Sequence, residues 1–265
     1  MKVTLITGAS SGIGEAFARR LAEEKHNLVL VARSEKKLHE LCDELMLQHK
    51  ITAHYVALDL NGFEADLRLF EETERHAMEV EWLINNAGFG SMGDFARLDL
   101  ERELEMINLN IAALVALTHR YLQKMRERRT GTIINVASTA SFQPVPFMAT
   151  YAATKAFVRS FSEAIAEENR TFNITVSAFC PGPTETNFFD AAEIKSDVRS
   201  AMFKKGIQTP EEVVETALAA AKRGKAQSIP GLKNYILAHL VGFLPDALIT
   251  RTVGTVLRPK FEDKK

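Results

Sequence analysis

The sequence predicts an α/β protein with a doubly wound parallel sheet of about seven strands, helices on both faces and a helical C-terminal extension. Three observations predict it. Short β-branched or apolar runs alternate with amphipathic stretches of helical length, which implies βαβ units. A glycine-rich turn joins the first run to the first helix. The side chains able to do chemistry fall just beyond the carboxyl ends of the runs, where open α/β sheets bind ligands.

Lys2 to Thr7 reads as the first strand. Gly8-Ala9-Ser10-Ser11-Gly12-Ile13-Gly14 leads from it into a helix over Glu15 to Glu24, with Ala16, Phe17, Ala18 and Leu21 among charges. Bare backbone can approach a pyrophosphate, and a helix N-terminus offers it unpaired N–H groups, so strand, turn and helix predict a Rossmann-like dinucleotide site. The spacing is G-x-x-x-G-x-G rather than G-x-G-x-x-G. A second strand, Asn27 to Ala32, ends at Arg33. A carboxylate at that end would take the ribose 2′-hydroxyl of NAD, whereas an arginine suits the 2′-phosphate of NADP. Ala32 leaves the acidic place empty, Arg33 supplies the cation and Ser10 offers a second donor, although Glu35 is close. NADP(H) is the preferred cofactor, NAD(H) the alternative.

Glu35 to His49 reads as a helix, and Thr52 to Leu58 as a third strand ending at Asp59-Leu60. Phe63 to Met78 reads as the next helix, and Trp82 to Ile84 as a fourth strand leading to Asn85-Asn86-Ala87-Gly88. A long helix is expected from Asp99 to Arg128. It holds Asn108 and Asn110 in one turn, although asparagine is a poor interior helix residue. Ile133 to Ala137 is a buried strand ending in Ser138, Thr150 to Arg170 a helix, and Ile174 to Phe179 a strand that meets Pro181-Gly182. Residues 187 to 208 carry Phe188, Phe189, Met202 and Phe203 among charges, which suits a mobile apolar lid or ordinary amphipathic packing. Thr209-Pro210-Glu211-Glu212 has a capping-box pattern with proline at the first helical position. That helix stops at Gly224, and residues 226 to 230 make the last strand.

Ser138 to Lys155 is the chemical centre. In a helix, the four-residue spacing of Tyr151 and Lys155 puts phenol and ammonium on one face. Free tyrosine titrates near pH 10, too high for easy proton exchange at neutrality, and a neighbouring ammonium favours the phenolate. Tyr151 is therefore a candidate general acid or base, and Ser138 a hydroxyl able to polarise a carbonyl.

Composition narrows the partners. With 33 basic and 34 acidic residues there is no electrostatic case for nucleic acid. Two cysteines, Cys42 and Cys180, are too few for a disulfide framework, and the N-terminus lacks a signal peptide's regions, so a cytoplasmic location is expected. The seven histidines fall in no metal-ligand spacing, and no metal is assigned. The uncharged run from Thr130 to Thr154 holds Gly131, Asn135, Gln143, Pro144 and Pro146, which makes it strand and loop, not a membrane span. Residues 1–230 form the expected nucleotide-binding catalytic domain, and 231–265 a helical extension of it. Tyr235 to Leu244 is apolar apart from His239, Pro245-Asp246 interrupts, and an apolar pattern resumes with Leu248. Three readings of this tail stand: a cap on the substrate pocket, a subunit contact, or a membrane-surface segment. Packing against protein is favoured, since apolar helical stripes usually find protein.

Taken in order, Thr7-Gly8-x-x-x-Gly12-Ile13-Gly14, Asp59, Asn85-Asn86-Ala87-Gly88, Asn110, Ser138, Tyr151-x-x-x-Lys155 and Pro181-Gly182-x-x-x-Thr186 resemble the short-chain dehydrogenase/reductase family in its single-domain NAD(P)-dependent form. Cys180-Pro181-Gly182-Pro183-Thr184 and the long tail are similar to carbonyl reductases and to 3-oxoacyl or hydroxysteroid-like enzymes. The resemblance implies that Tyr151 is the acid/base, that Lys155 lowers its pKa and holds the nicotinamide ribose, and that Ser138 binds the substrate oxygen. It further implies that Asn110 anchors a water in a proton relay. Gly8, Ser11, Gly12, Ile13 and Gly14 would hold the pyrophosphate, with Asp59-Leu60, Asn86, Ala87 and Gly88 on the adenosine side. Pro181, Gly182 and Thr186 would close over the nicotinamide. The implied reaction interconverts a ketone and a secondary alcohol on a small, mainly apolar molecule, in a homo-oligomer. Ala113 and Ala140-Ser141 depart from the family pattern but lie off the proton path. A nucleotide-binding scaffold or sensor that uses its C-terminal helices on a partner or membrane is the alternative.

Overall fold

In the computed structural model, which describes residues 1–188 and 207–261, seven strands form one parallel sheet in the order β3-β2-β1-β4-β5-β6-β7. The strands are β1 (Lys2–Thr7), β2 (Leu28–Ala32), β3 (Ala53–Ala57), β4 (Glu79–Asn85), β5 (Gly131–Val136), β6 (Ile174–Phe179) and β7 (Gln227–Ser228). β1 pairs with both β2 and β4, so the strand order reverses there and a crevice opens at the carboxyl ends. The inner strands are buried along nearly their whole length, as both faces of a parallel sheet are covered.

Helices α1 (Gly12–Glu23), α2 (Glu35–His49) and α7 (Pro210–Lys222) cover one face. Phe17, Leu38 and Val213 there join Ile6, Leu30 and Phe179 of the sheet. Helices α3 (Ala65–Arg75), α5 (Leu114–Arg128) and α6 (Ala149–Asn169) cover the other, through Leu69, Leu117, Tyr121 and Ile165 against Val3, Leu83 and Ile133.

Three expectations need correction. The glycines that propensity disfavours are themselves the first turn of α1, which begins at Gly12 rather than Glu15. The third helix stops at Arg75, because Ala77 turns the chain at φ 49° and Glu79 already donates to the Met1 carbonyl alongside β1. The helix expected over Asp99 to Arg128 is α4 (Leu100–Ile107) and α5, separated by a π-helical turn over Asn108–Ala113. The wide turn is where the Asn110 amide reaches sideways to the Phe89 backbone and to Thr154 of α6.

The extension is α8 (Leu232–Val241) and α9 (Asp246–Phe261), joined through Pro245. Ala238 packs with Ile229 and Cys180. Leu257 packs with Val145, Met148 and Tyr151, and Phe261 stacks on Phe147 with centroids 4.7 Å apart. No helix among the described residues is long and apolar enough to cross a membrane. Cys42 and Cys180 are buried free thiols.

The capping box at α7 is complete: Glu212 N donates to Thr209 Oγ1, and Thr209 N to the Glu212 carboxylate. Thr209→Ala leaves the Glu212 N–H without its side-chain partner, and urea unfolding of that variant is expected to show a loss of about 1 kcal/mol.

Candidate active site

A cleft of about 1130 Å3 runs along the carboxyl ends of the strands, from the glycine turn past β4 and β5 to the C-terminal helices. Its nucleotide end starts at the turn after β1. Gly8 and Gly12 have φ of 66° and 58°, a region that disfavours any residue with a Cβ. A Cβ on Gly14 would lie 2.2 Å from the Gly8 carbonyl oxygen, so strand and helix meet there without room for a side chain. Ser11 precedes α1 without a side-chain cap, which leaves first-turn N–H groups for a ligand. Ser10, Ser11, Gly12 and Ile13 line the cleft here. These bare, uncapped donors fit a dinucleotide pyrophosphate.

Arg33 and Asp59 lie at the mouth beyond β2 and β3, with Leu60 beside them. Arg33 is exposed and has no ion-pair or hydrogen-bond partner among the described residues. Asp59 accepts from Asn61 N at 2.9 Å. Asn86, Ala87 and Gly88 line the next stretch, but the Asn86 amide is engaged in the fold itself, donating to the carbonyls of Thr7 (3.0 Å) and Gly8 (3.2 Å).

At the centre, Ser138, Tyr151 and Lys155 line one wall. Ser138 ends the loop after β5 and caps a 3-10 turn over Thr139–Phe142, its Oγ accepting from Ala140 N at 3.1 Å. Lys155 Nζ donates to the Val136 carbonyl at 2.7 Å and sits 5.9 Å from the Tyr151 ring centroid. Pro181, Gly182 and Thr186 form the facing edge. Asn110 does not line the cleft. Its buried side chain accepts from Phe89 N and donates to Phe89 O and Thr154 Oγ1, which fastens the π turn to the loop after β4 and to α6.

Burial sets the electrostatics of this wall. Burial pushes the Tyr151 phenol up to about 12, with the Ser138 hydroxyl bonded to it acting the other way. Burial pulls the Lys155 ammonium down to about 8. Desolvation opposes either charge, and the ammonium is committed to a carbonyl rather than to the phenol. Burial is thus the largest influence on both groups.

The apolar end of the cleft brings in Phe188, read from the sequence as part of an apolar lid, and the tail helices, for which a cap on the substrate pocket was one of three readings. Phe188 sits 5.2 Å from the Tyr151 ring, and Leu237, Val241, Val253 and Leu257 come in from α8 and α9. Their helical periodicity was visible, but nothing in it says which surface they meet. Phe189, Met202 and Phe203 of the expected lid lie outside the described residues.

The short chain dehydrogenase family profile matches residues 2–197. The chain belongs to the short-chain dehydrogenases. It is 32% identical over 236 residues to a 7β-hydroxysteroid dehydrogenase of Mediterraneibacter gnavus, covering 89% of this chain and 88% of that protein. It is 29% identical over 219 residues to a 3-oxoacyl-(acyl-carrier-protein) reductase of Aquifex aeolicus, covering 82% and 88%. A solved short-chain dehydrogenase of Sphingobium yanoikuyae, in complex with NADPH, superposes with a TM-score of 0.82 at 30% identity and covers 100% of this chain and 98% of that one. This short-chain dehydrogenase is thus a nicotinamide-dependent oxidoreductase acting on hydroxyl or carbonyl groups.

The displaced lysine has a sign that can be checked. As pH falls from 10.5 towards 8, an unfolded lysine takes up a proton that folded Lys155 does not, so the folded state loses stability, and below pH 8 the full penalty applies. The penalty reaches roughly 3 kcal/mol. In urea titrations, Lys155→Met is expected to be most favoured over the wild type below pH 8, with the difference shrinking as pH rises towards 10.

Proposed function

We propose that the protein is an NADPH-dependent carbonyl reductase that converts a ketone to a secondary alcohol on a mainly apolar substrate. The observation that carries this reading is the buried Tyr151 phenol, set beside Ser138 where a polar nucleotide cleft runs into an apolar pocket. When bound, the nicotinamide supplies a hydride to the carbonyl carbon. Ser138 then donates to the carbonyl oxygen and polarises it, and Tyr151 gives that oxygen its proton. A phenol held near 12 keeps its proton at neutral pH, yet is acidic enough to protonate a developing alkoxide, which suits the reducing direction. Lys155, fixed by Val136, holds the nicotinamide ribose and keeps positive charge beside the phenol as that proton leaves. Asn110 supports the reaction indirectly, by joining Phe89 to the Tyr151 helix through Thr154.

Gly8, Ser11, Gly12 and Ile13 take the pyrophosphate, while Asp59, Leu60, Asn86, Ala87 and Gly88 flank the adenosine. Arg33 and Ser10 take the 2′-phosphate, and the unpartnered guanidinium at the end of β2 supports NADPH over NADH. Pro181, Gly182 and Thr186 close over the nicotinamide. The pocket beyond Tyr151 is walled by Phe188, Met148, Val253 and Leu257 and favours an apolar body on the substrate, in line with the steroid and acyl chemistry in the names of the relatives. Exposed Leu100, Leu104 and Ile107 on α4 support a subunit contact in a homo-oligomer.

Tyr151→Phe is expected to bind NADPH as the wild type does, by fluorescence titration, while turnover of a ketone panel followed by NADPH absorbance falls about 10² to 10⁴-fold. Undiminished turnover in that variant would remove the mechanism. Arg33→Ala is expected to raise the KM for NADPH roughly 10 to 100-fold and leave that for NADH within about threefold, as read from initial rates with each cofactor.

A further inference from the structure

Seven of the ten residues of α8 are apolar: Leu232, Tyr235, Ile236, Leu237, Ala238, Leu240 and Val241. A helix apolar on all sides belongs inside protein or lipid. Yet only Asn234, Ala238 and Val241 are covered by the rest of the chain. Leu232, Tyr235, Ile236 and Leu240 repeat at spacings of three and four and form one exposed face. The turn after the helix continues that face with Phe243, 87% exposed, and Leu244.

Charge points to the occupant. Residues 231–265 hold six basic and three acidic side chains, whereas the preceding 230 hold 27 and 31. Within the described helices Lys233, Arg251, Arg258 and Lys260 stand against Asp246 alone. A second copy would bring the same positive surface onto itself, which disfavours a symmetric contact. An anionic lipid surface complements both the charge and the apolar face, and the helices are too short to cross it. Leu237 and Val256 are exposed and also line the cleft, so its mouth opens within this face.

We propose that α8, its following turn and α9 form a docking surface for anionic membranes, seating the mouth of the cleft on the bilayer. The proposal goes beyond the catalytic reading and does not require it, since docking is read without turnover. The full chain is floated with vesicles of equal parts phosphatidylcholine and phosphatidylglycerol, and with phosphatidylcholine alone. Flotation is expected with the anionic vesicles and is expected to weaken with salt. Leu240 and Phe243 lie off the cleft, and the double variant L240E/F243E, its fold checked by thermal unfolding, is expected to lower the bound fraction roughly tenfold or more. R251E leaves the apolar face intact and is expected to lower binding to anionic vesicles severalfold, which keeps the test valid should the double variant not fold. Wild type left at the bottom with both vesicles, or variants floating as the wild type does, overturns the proposal. So does a drop in particle mass in L240E/F243E without vesicle binding by the wild type, which would assign the face to a second copy.

Discussion

The carboxyl ends of β1 and β4 are fastened by one hydroxyl. Thr7 Oγ1 donates to the Ile84 carbonyl at 3.3 Å and accepts from Asn86 N at 3.0 Å and Ala87 N at 2.9 Å. The Asn86 amide completes the tie by donating to the carbonyls of Thr7 and Gly8. This is the point where the strand order reverses, and strands that ended there untied would leave the crevice without fixed walls. The tie also explains Gly14. With the Gly8 carbonyl held against Asn86, a Cβ at position 14 would meet both, at 2.2 and 2.6 Å. A nucleotide site at this place thus depends on one threonine, one asparagine and the missing side chain of a glycine.

A second buried network carries the same order to the catalytic wall. Asn85 Nδ2 donates to Thr118 of α5 at 3.0 Å and to Asn135 of β5 at 2.8 Å, and Asn135 donates to Ser162 of α6 at 2.9 Å. Beside it, Asn110 binds Phe89 and Thr154, and Lys155 binds the end of β5. Each such bond adds only about 1 kcal/mol net, but a buried donor left unpaired costs more than a made bond returns. The consequence is registry: α5 and α6 can occupy few positions that make all of these bonds, although Asn85 Oδ1 is left without a partner. That registry sets where Tyr151 stands relative to Ser138.

The parallel sheet, its strand identities and the glycine turn were legible because they rest on local patterns: alternation, β-branched runs, and glycine where backbone must bend or approach closely, whereas the strand order was not read from the sequence. Ser138, Tyr151 and Lys155 were legible as a group because spacing along a helix and a strand end is a local property too. Thr7 was quoted only as part of a motif, since nothing in a lone threonine says that its hydroxyl spans two strands 77 residues apart in sequence. The π turn was hidden for a related reason. Two asparagines flagged an unfavourable helix interior, but the partner that accounts for the wider turn is Phe89, which is distant in sequence. The desolvation of Tyr151 and Lys155 was not legible, because spacing fixes proximity only, and burial is known only once the whole wall is assembled.

Magnitudes decide what that wall can do. Moving a phenol from 10 to about 12 corresponds to about 3 kcal/mol against the phenolate. A unit charge 5.9 Å from the ring centroid attracts a charge spread over that ring by a similar amount, about 3 kcal/mol at an effective dielectric of 20. Burial and pairing are therefore of the same order, and the balance rests on whether Lys155 carries its proton. A wall so balanced holds the phenol protonated at rest but meets little resistance once negative charge builds on a nearby oxygen, because the proton leaves towards a stronger base while the ammonium stabilises the phenolate left behind. Raising pH past 8 removes that ammonium and leaves desolvation unopposed. Under the proposed proton transfer, the burial of Tyr151 therefore ties its role to the charge state of the residue one helical turn away.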